Sequence, residues 1–405
     1  MSVIAPFAAL RPTPATVARV AAVPYDVVNS AEAAALADGE PLSFLRVSRP
    51  EIECPPGTPI YSDAVYAKAA DNFDRLRRAA PLVVEDTPSL YVYRLTMGAH
   101  VQTGVCAAFS VDEYARDLIK KHEKTRPDKE DDRTRHILTL RAQTGPVFLT
   151  YRAAPAVDAA VARVVASPPL FDFVAVDGIR HEVWRVSAVD SDALVAAFAA
   201  VPALYIADGH HRAASAWRTH QALAAEGPGE HERFLAVAFP DAQMQVLPYH
   251  RVVRDLQGRS AAEFRAALAA TVTVTPGGPA SPARKGLAAM YLDKAWWTID
   301  FGAAPAGAPP DAALDVSRLQ DAVLTPLLGI TDIRTDKRID FVGGGRGLGE
   351  LEKRVSSGEM AVAFALYPTQ MTDLMAVADA GKIMPPKSTW FEPKLADGVV
   401  SHVLD

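Results

Sequence analysis

The chain has 405 residues, 49% of them hydrophobic and 22% charged, enough to bury large cores and too many for one domain of ordinary size. A formal net charge of -6 at pH 7 gives no overall pull toward nucleic acid or an anionic membrane, so the partner expected is a small molecule, with no nucleic acid and no membrane. Two cysteines, Cys54 and Cys106, supply neither a disulfide framework nor paired zinc ligands and suit a reducing compartment.

In chain order, residues 1–28 contain Arg11, Arg19 and four prolines, Pro6, Pro12, Pro14 and Pro24, and so lack the unbroken apolar stretch of a secretion signal. No run of apolar residues reaches the length of a membrane span, and the expected location is the cytoplasm. A proline-rich loop at 53–59 precedes a helix predicted over 65–80. Strands follow at 89–95, 101–111 and 146–152, then a helix over 156–165 opened by Pro155, and a hairpin over 171–186 turning at Asp177-Gly178. A helix at 191–200 leads to a short apolar strand ending at Asp208 and a further helix, before strands at 234–239 and 245–253. Proline and glycine crowd together from Pro276 to Gly286, which sets a boundary between an N-terminal α/β domain, 1–275, and a smaller C-terminal α/β sandwich, 287–405. Beyond it the pattern predicts a hairpin at 288–301, helices at 312–328, 348–357 and 369–380, and strands at 338–342 and 360–367. The fold class is mixed α/β (α+β), with no fixed-period repeat.

Four stretches carry chemistry. In Asp208-Gly209-His210-His211-Arg212 a strand delivers a carboxylate to its end, glycine permits a tight turn, and the next three residues open a helix. Free amides and the positive end of the helix dipole favour an anion there, and Arg212 adds planar bidentate donors, although capping by Asp208 alone is the plainer alternative. The second stretch runs from Lys120 to His136 and mixes both charges. It reads as a solvated helix or loop, yet it leads into an apolar strand and therefore lies near a sheet end, where loops commonly build sites. Glu123 or Asp208 could accept a hydroxyl proton, while Lys121, Lys124 and Arg126 could offset phosphate charge. A third stretch, Asp332 to Gly347, contains a glycine-rich turn that is neither a Walker A nor a Rossmann fingerprint. The fourth, Met384 to Lys394, mixes rigid, cationic and aromatic residues and reads either as an ordered loop that covers or lines a cleft or as a segment with a simple packing role.

Together, Pro24-Tyr25-Asp26-Val27-Val28, Lys121-His122-Glu123-Lys124-Thr125-Arg126-Pro127, Ala207-Asp208-Gly209-His210-His211-Arg212, Thr335-Asp336-Lys337-Arg338-Ile339-Asp340-Phe341 and Pro385-Pro386-Lys387-Ser388-Thr389-Trp390-Phe391 resemble the domain-of-unknown-function family numbered ten-fifteen. That family is itself similar, through the Asp-Gly-His-His-Arg turn, to the ParB/sulfiredoxin-like fold and to free L-serine kinases built on it. The resemblance implies a ParB/sulfiredoxin-like catalytic core and phosphorylation of a free small metabolite, L-serine leading, with ATP or ADP as donor and Mg2+ alongside. It implies Asp208, Glu123 and His122 as catalytic residues. Gly209, His210, His211 and Arg212 would hold phosphate together with Lys121, Lys124 and Arg126, and Arg133, Arg135, Asp336, Lys337, Arg338 and Lys387 are candidates for an additional site. Two other readings stand beside it. One is a non-catalytic ParB-like nucleotide-binding regulator. The other is a metal-dependent hydrolase using His122, His136, His210, His211 and nearby carboxylates, which lacks the H-E-x-x-H spacing.

Overall fold

In the computed structural model, which describes residues 2–79 and 82–405, a nine-stranded mixed sheet organises the first unit of the chain. Its strands are Ile4–Ala5 (β1), Tyr91–Met97 (β2), His100–Ser110 (β3), Ile119–Lys120 (β4), Val147–Tyr151 (β5), Phe171–Val174 (β6), Arg180–Arg185 (β7), Leu204–Asp208 (β8) and Arg233–Pro240 (β9). They lie in the order β4-β8-β5-β9-β3-β2-β7-β6, and β1 pairs with β3. The β4–β8 and β5–β9 pairings are parallel and the others antiparallel. Helices Asp63–Ala79 (α1), Pro127–Leu140 (α2), Pro155–Val164 (α3), Ala188–Ala199 (α4) and His210–Leu223 (α5) are the longest of this unit.

The apolar runs of β3 and β9 follow from burial on both faces, which removes the alternation a half-solvated strand would show. Val105, Ala107 and Phe109 of β3 join Phe234 and Ala236 of β9 and Leu149 of β5 on one face, where Val157 of α3, Phe198 of α4 and Ala213 of α5 cover them. The helices start where local chemistry satisfies their first amides. Pro155 occupies the first turn of α3, and the Ser187 side chain accepts from the Asp190 amide at the head of α4.

The second unit has a six-stranded sheet in which every pairing is antiparallel. Its strands are Tyr249–Val253 (β10), Thr273–Pro276 (β11), Leu287–Leu292 (β12), Ala295–Asp300 (β13), Ile339–Gly343 (β14) and Val362–Leu366 (β15), in the order β11-β13-β12-β15-β10-β14. Leu351 of helix Gly349–Ser356 (α6) packs against Val252, Ala289, Val342 and Ala363, giving this unit its own core.

Most expected elements are present, the helix expected at 191–200 running from Ala188 to Ala199, and other differences are as follows. The helix expected at 65–80 starts at Asp63, and Ala80 lies outside the described residues. The strand expected at 245–253 is divided at Pro248, which has no amide to give a ladder, into Val246–Leu247 and β10. The helix expected at 312–328 starts at Asp315 and loosens to a π-helical turn over Gln320–Leu324. The boundary expected at Pro276–Gly286 is corrected: the compact units are residues up to Met244 with Pro393–Asp405, and Gln245–Glu392. Residues 276–286 join β11 to β12, the two strands that flank β13, and their glycines make positive-φ turns at Gly277, Gly278 and Gly286.

Candidate functional site

The site is built from the end of β8. The pairing of β8 with β5 shifts between Ile206 and Asp208, so Ala207 is an extra residue in the ladder. A bulge of this kind re-aims the residue that follows it. Gly209 then takes φ 88°, which favours glycine, and a Cβ there would also crowd Nε of Arg212 at 3.1 Å. His210 opens α5, whose first intrahelical bond runs from the Ala213 amide to the Gly209 carbonyl, leaving the amides of residues 210–212 without partners inside the helix.

Asp208 Oδ2 lies 2.9 Å from Nζ of Lys394 and 3.7 Å from Nη2 of Arg212. Burial alone would raise the Asp208 carboxyl, but Lys394 and Arg212 outweigh it and hold the group well below the usual carboxylate range. Arg212 is 8% exposed and faces inward. Its Nη1 donates to the Pro146 carbonyl at 2.5 Å and its Nη2 to Oδ2 of Asp26 at 3.4 Å. The guanidinium expected to clasp phosphate therefore braces the turn from behind.

The parallel pairing of β4 with β8 sends the loop after Lys120 out of the sheet beside this turn. The His122 amide meets Nε2 of His210 at 3.4 Å, the two rings stand perpendicular with centroids 4.5 Å apart, and Oε2 of Glu123 lies 3.9 Å from Nδ1 of His210. One step on, the Arg126 amide donates to Nε2 of His211 at 3.0 Å. Two segments far apart in sequence thus form one constellation of His122, Glu123, Asp208, Gly209, His210 and His211. Burial pushes His122 down to about 4 and His210 well below its ordinary value, the latter reinforced by His122, so both rings are neutral at pH 7. Burial lowers His211 as well.

Other expected residues point elsewhere. Nζ of Lys121 donates to the Tyr114 carbonyl at 2.8 Å and to Asp117 at 2.5 Å. The Arg126 side chain pairs with Asp128 at 2.8 Å, and Lys124 is exposed. Arg133 pairs with Asp132 and lies 4.2 Å over the Tyr25 ring, while Arg135 pairs with Asp63 and lies 4.1 Å over Tyr66. His136 is tied to the Val47 carbonyl at 2.9 Å, outside the histidine cluster. Within the second unit, Asp336 pairs with Arg338 at 2.7 Å, Lys337 is exposed, and Nζ of Lys387 reaches the Tyr249 hydroxyl at 3.5 Å. The glycine-rich turn has a packing reason there: a Cβ at Gly344 would come within 2.8 Å of Pro248, and one at Gly343 within 3.0 Å of Trp390.

A family model described as "Protein of unknown function (DUF1015)" matches residues 4–317. The chain belongs to that family. No curated protein matches the chain. Among solved structures it is similar to a free serine kinase in complex with AMP, at 13% identity and a TM-score of 0.37, covering 73% of this chain and 91% of that one. It is similar also to a conserved hypothetical protein from Pyrococcus furiosus (15%, TM-score 0.34, 74% and 95%) and to SbnI with a C-terminal truncation from Staphylococcus aureus (12%, TM-score 0.36, 72% and 85%).

Sequence reasoning missed three residues around this site. Lys394 closes the 384–394 stretch, and its Nζ donates to Oδ2 of Asp208. Asp26 belongs to the Pro24-Tyr25-Asp26 motif, whose presence was the available signal. Asp397 carried no signal: it is 2% exposed, and a Cβ on Gly145 would sit 2.7 Å from its Oδ1.

Proposed function

We propose that this chain is a nucleotide-dependent kinase that phosphorylates the hydroxyl of a free small metabolite, with L-serine the leading acceptor and O-phosphoserine the product, on a ParB/sulfiredoxin-like core. The observation that carries the reading is the arrival of Glu123 within 3.9 Å of His210, at the amino end of α5 and beside the ionised Asp208. A proton acceptor and an anion-favouring helix terminus then share one site, and the motif resemblance supplies the reaction class.

A carboxylate held below its usual range is a weak base, so Asp208 suits charge and positioning, and Glu123, with its side chain 51% exposed, suits proton removal. In the reaction the acceptor oxygen bonds to the terminal phosphorus of ATP or ADP. The bond from that phosphorus to the bridging oxygen breaks, the hydroxyl proton passes to Glu123, and ADP or AMP leaves. The amides of residues 210–212 take phosphate oxygens. Asp208 offers the hard oxygen that Mg2+ prefers, and the ion would supply charge neutralisation on the nucleotide phosphates. The proposed location is the cytoplasm.

The test is mass-spectrometric detection of phosphoserine from purified protein with Mg2+, ATP or ADP and a panel of free amino acids. Glu123→Gln and Asp208→Asn are each expected to lower turnover by about 10²–10⁴ with the fold intact by circular dichroism. Nucleotide binding without product in any mixture would replace the kinase with the regulatory reading.

A further inference from the structure

The ring of His122 is 2% exposed, and among the described residues neither of its nitrogens has a hydrogen-bond partner. A buried polar ring left in this way is costly unless something pairs with it. Perpendicular to it stands His210, and Glu123 closes the third side. One ligand atom from each of the three residues lies within 4.8 Å of the others.

We propose that His122, His210 and Glu123 form a binding site for a borderline divalent transition-metal ion such as zinc. Two neutral imidazoles and one carboxylate are the donor set such ions take, whereas Mg2+ prefers oxygen and water. Ligation through Nδ1 of His210 places that ring's proton on Nε2, so the long 3.4 Å contact from the His122 amide is given up and the ion replaces the proton facing Glu123. The inference shares Glu123 with the phosphoryl-transfer reading but concerns the state with neither nucleotide nor acceptor present, so metal binding and product formation can fail separately.

The experiment uses the full chain after chelator treatment. It is titrated calorimetrically with Zn2+ and, separately, with Mg2+, while Co2+ binding is followed by its visible absorption bands. One Zn2+ per chain, with no Mg2+ heat at the same concentrations, is the expected result. His122→Gln and His210→Gln are expected to weaken Zn2+ by at least about 100-fold, a loss no smaller than removal of a supporting group causes. Glu123→Gln, at an exposed position, keeps the test valid if the buried variants fail to fold, and is expected to weaken binding by about tenfold or more. His231→Gln removes the other close histidine pair, in which Nδ1 of His220 and of His231 are 3.0 Å apart, and is expected to leave binding unchanged. Absence of stoichiometric binding, binding unaffected by Glu123→Gln in a folded protein, or binding lost in His231→Gln would each overturn the proposal.

Discussion

Asp208, Arg212 and Asp397 show how one cluster sorts three charges by their surroundings. Asp208 keeps its charge because Lys394 and Arg212 outweigh its burial, whereas burial raises the Asp397 carboxyl to about 7 even with Arg212 near. A carboxyl raised in the folded state binds more protons folded than unfolded between its unfolded value of 3.8 and about 7. Its contribution to stability is therefore fully present below 3.8 and is lost as the pH rises through about 7. Asp397→Asn removes this term, so the thermal midpoint of the variant should gain on the wild type as the pH goes from about 4 to about 7 and hold a constant difference above that. Melting curves across that range check it, and a difference independent of pH would contradict the raised value. His122, Glu123 and the 208–212 turn were legible in the sequence because unusual residue types stand together at a strand end. The commitment of Arg212 to Asp26 and the Pro146 carbonyl was not, since an arginine at a helix start reads as a ligand donor until its partners are placed.

At the scale of elements, the turn is positioned by a stiff frame. Strand β8 lies between β4 and β5, and Ile206 and Leu149 belong to the same buried cluster as Phe109, whose ring packs against Phe198 and Phe234. Phe109→Ala empties the middle of that layer and should cost about 3–5 kcal/mol, seen as a lower denaturant midpoint. A loss below about 1 kcal/mol would mean that the layer collapses around the gap. Apolar periodicity disclosed most of these elements because burial leaves a pattern in the residues themselves. It disclosed less where the cause is non-local. The strand Ser401–Val403 pairs with Ala9–Leu10 and with Ala142–Gln143, partners remote in sequence. Helix α2 is dense in charge and shows its apolar side through Ile137, Leu138 and Leu140, all in its last turn.

For the whole molecule, the unit Gln245–Glu392 is an insertion between β9 and the last thirteen residues of the first unit, Pro393–Asp405. Composition could not reveal this, because proline and glycine mark turns within a sheet as readily as borders between units, as 276–286 shows. With its own six-stranded sheet and the Leu351 core, the segment 245–392 should fold when produced alone. A single cooperative thermal transition by circular dichroism is the expected result, and a gradual one would mean that its core depends on the first unit.

The pairing of Asp208 with Lys394 also sets an order of events during synthesis. The ribosome releases β8 and the start of α5 long before it reaches Lys394, and the whole of Gln245–Glu392 must be translated in between. Until then the carboxylate has Arg212 as its cation but lacks the closer one. A chain interrupted anywhere in the second unit would carry the turn with its charge balance incomplete, so the site is finished only after the whole second unit has been made.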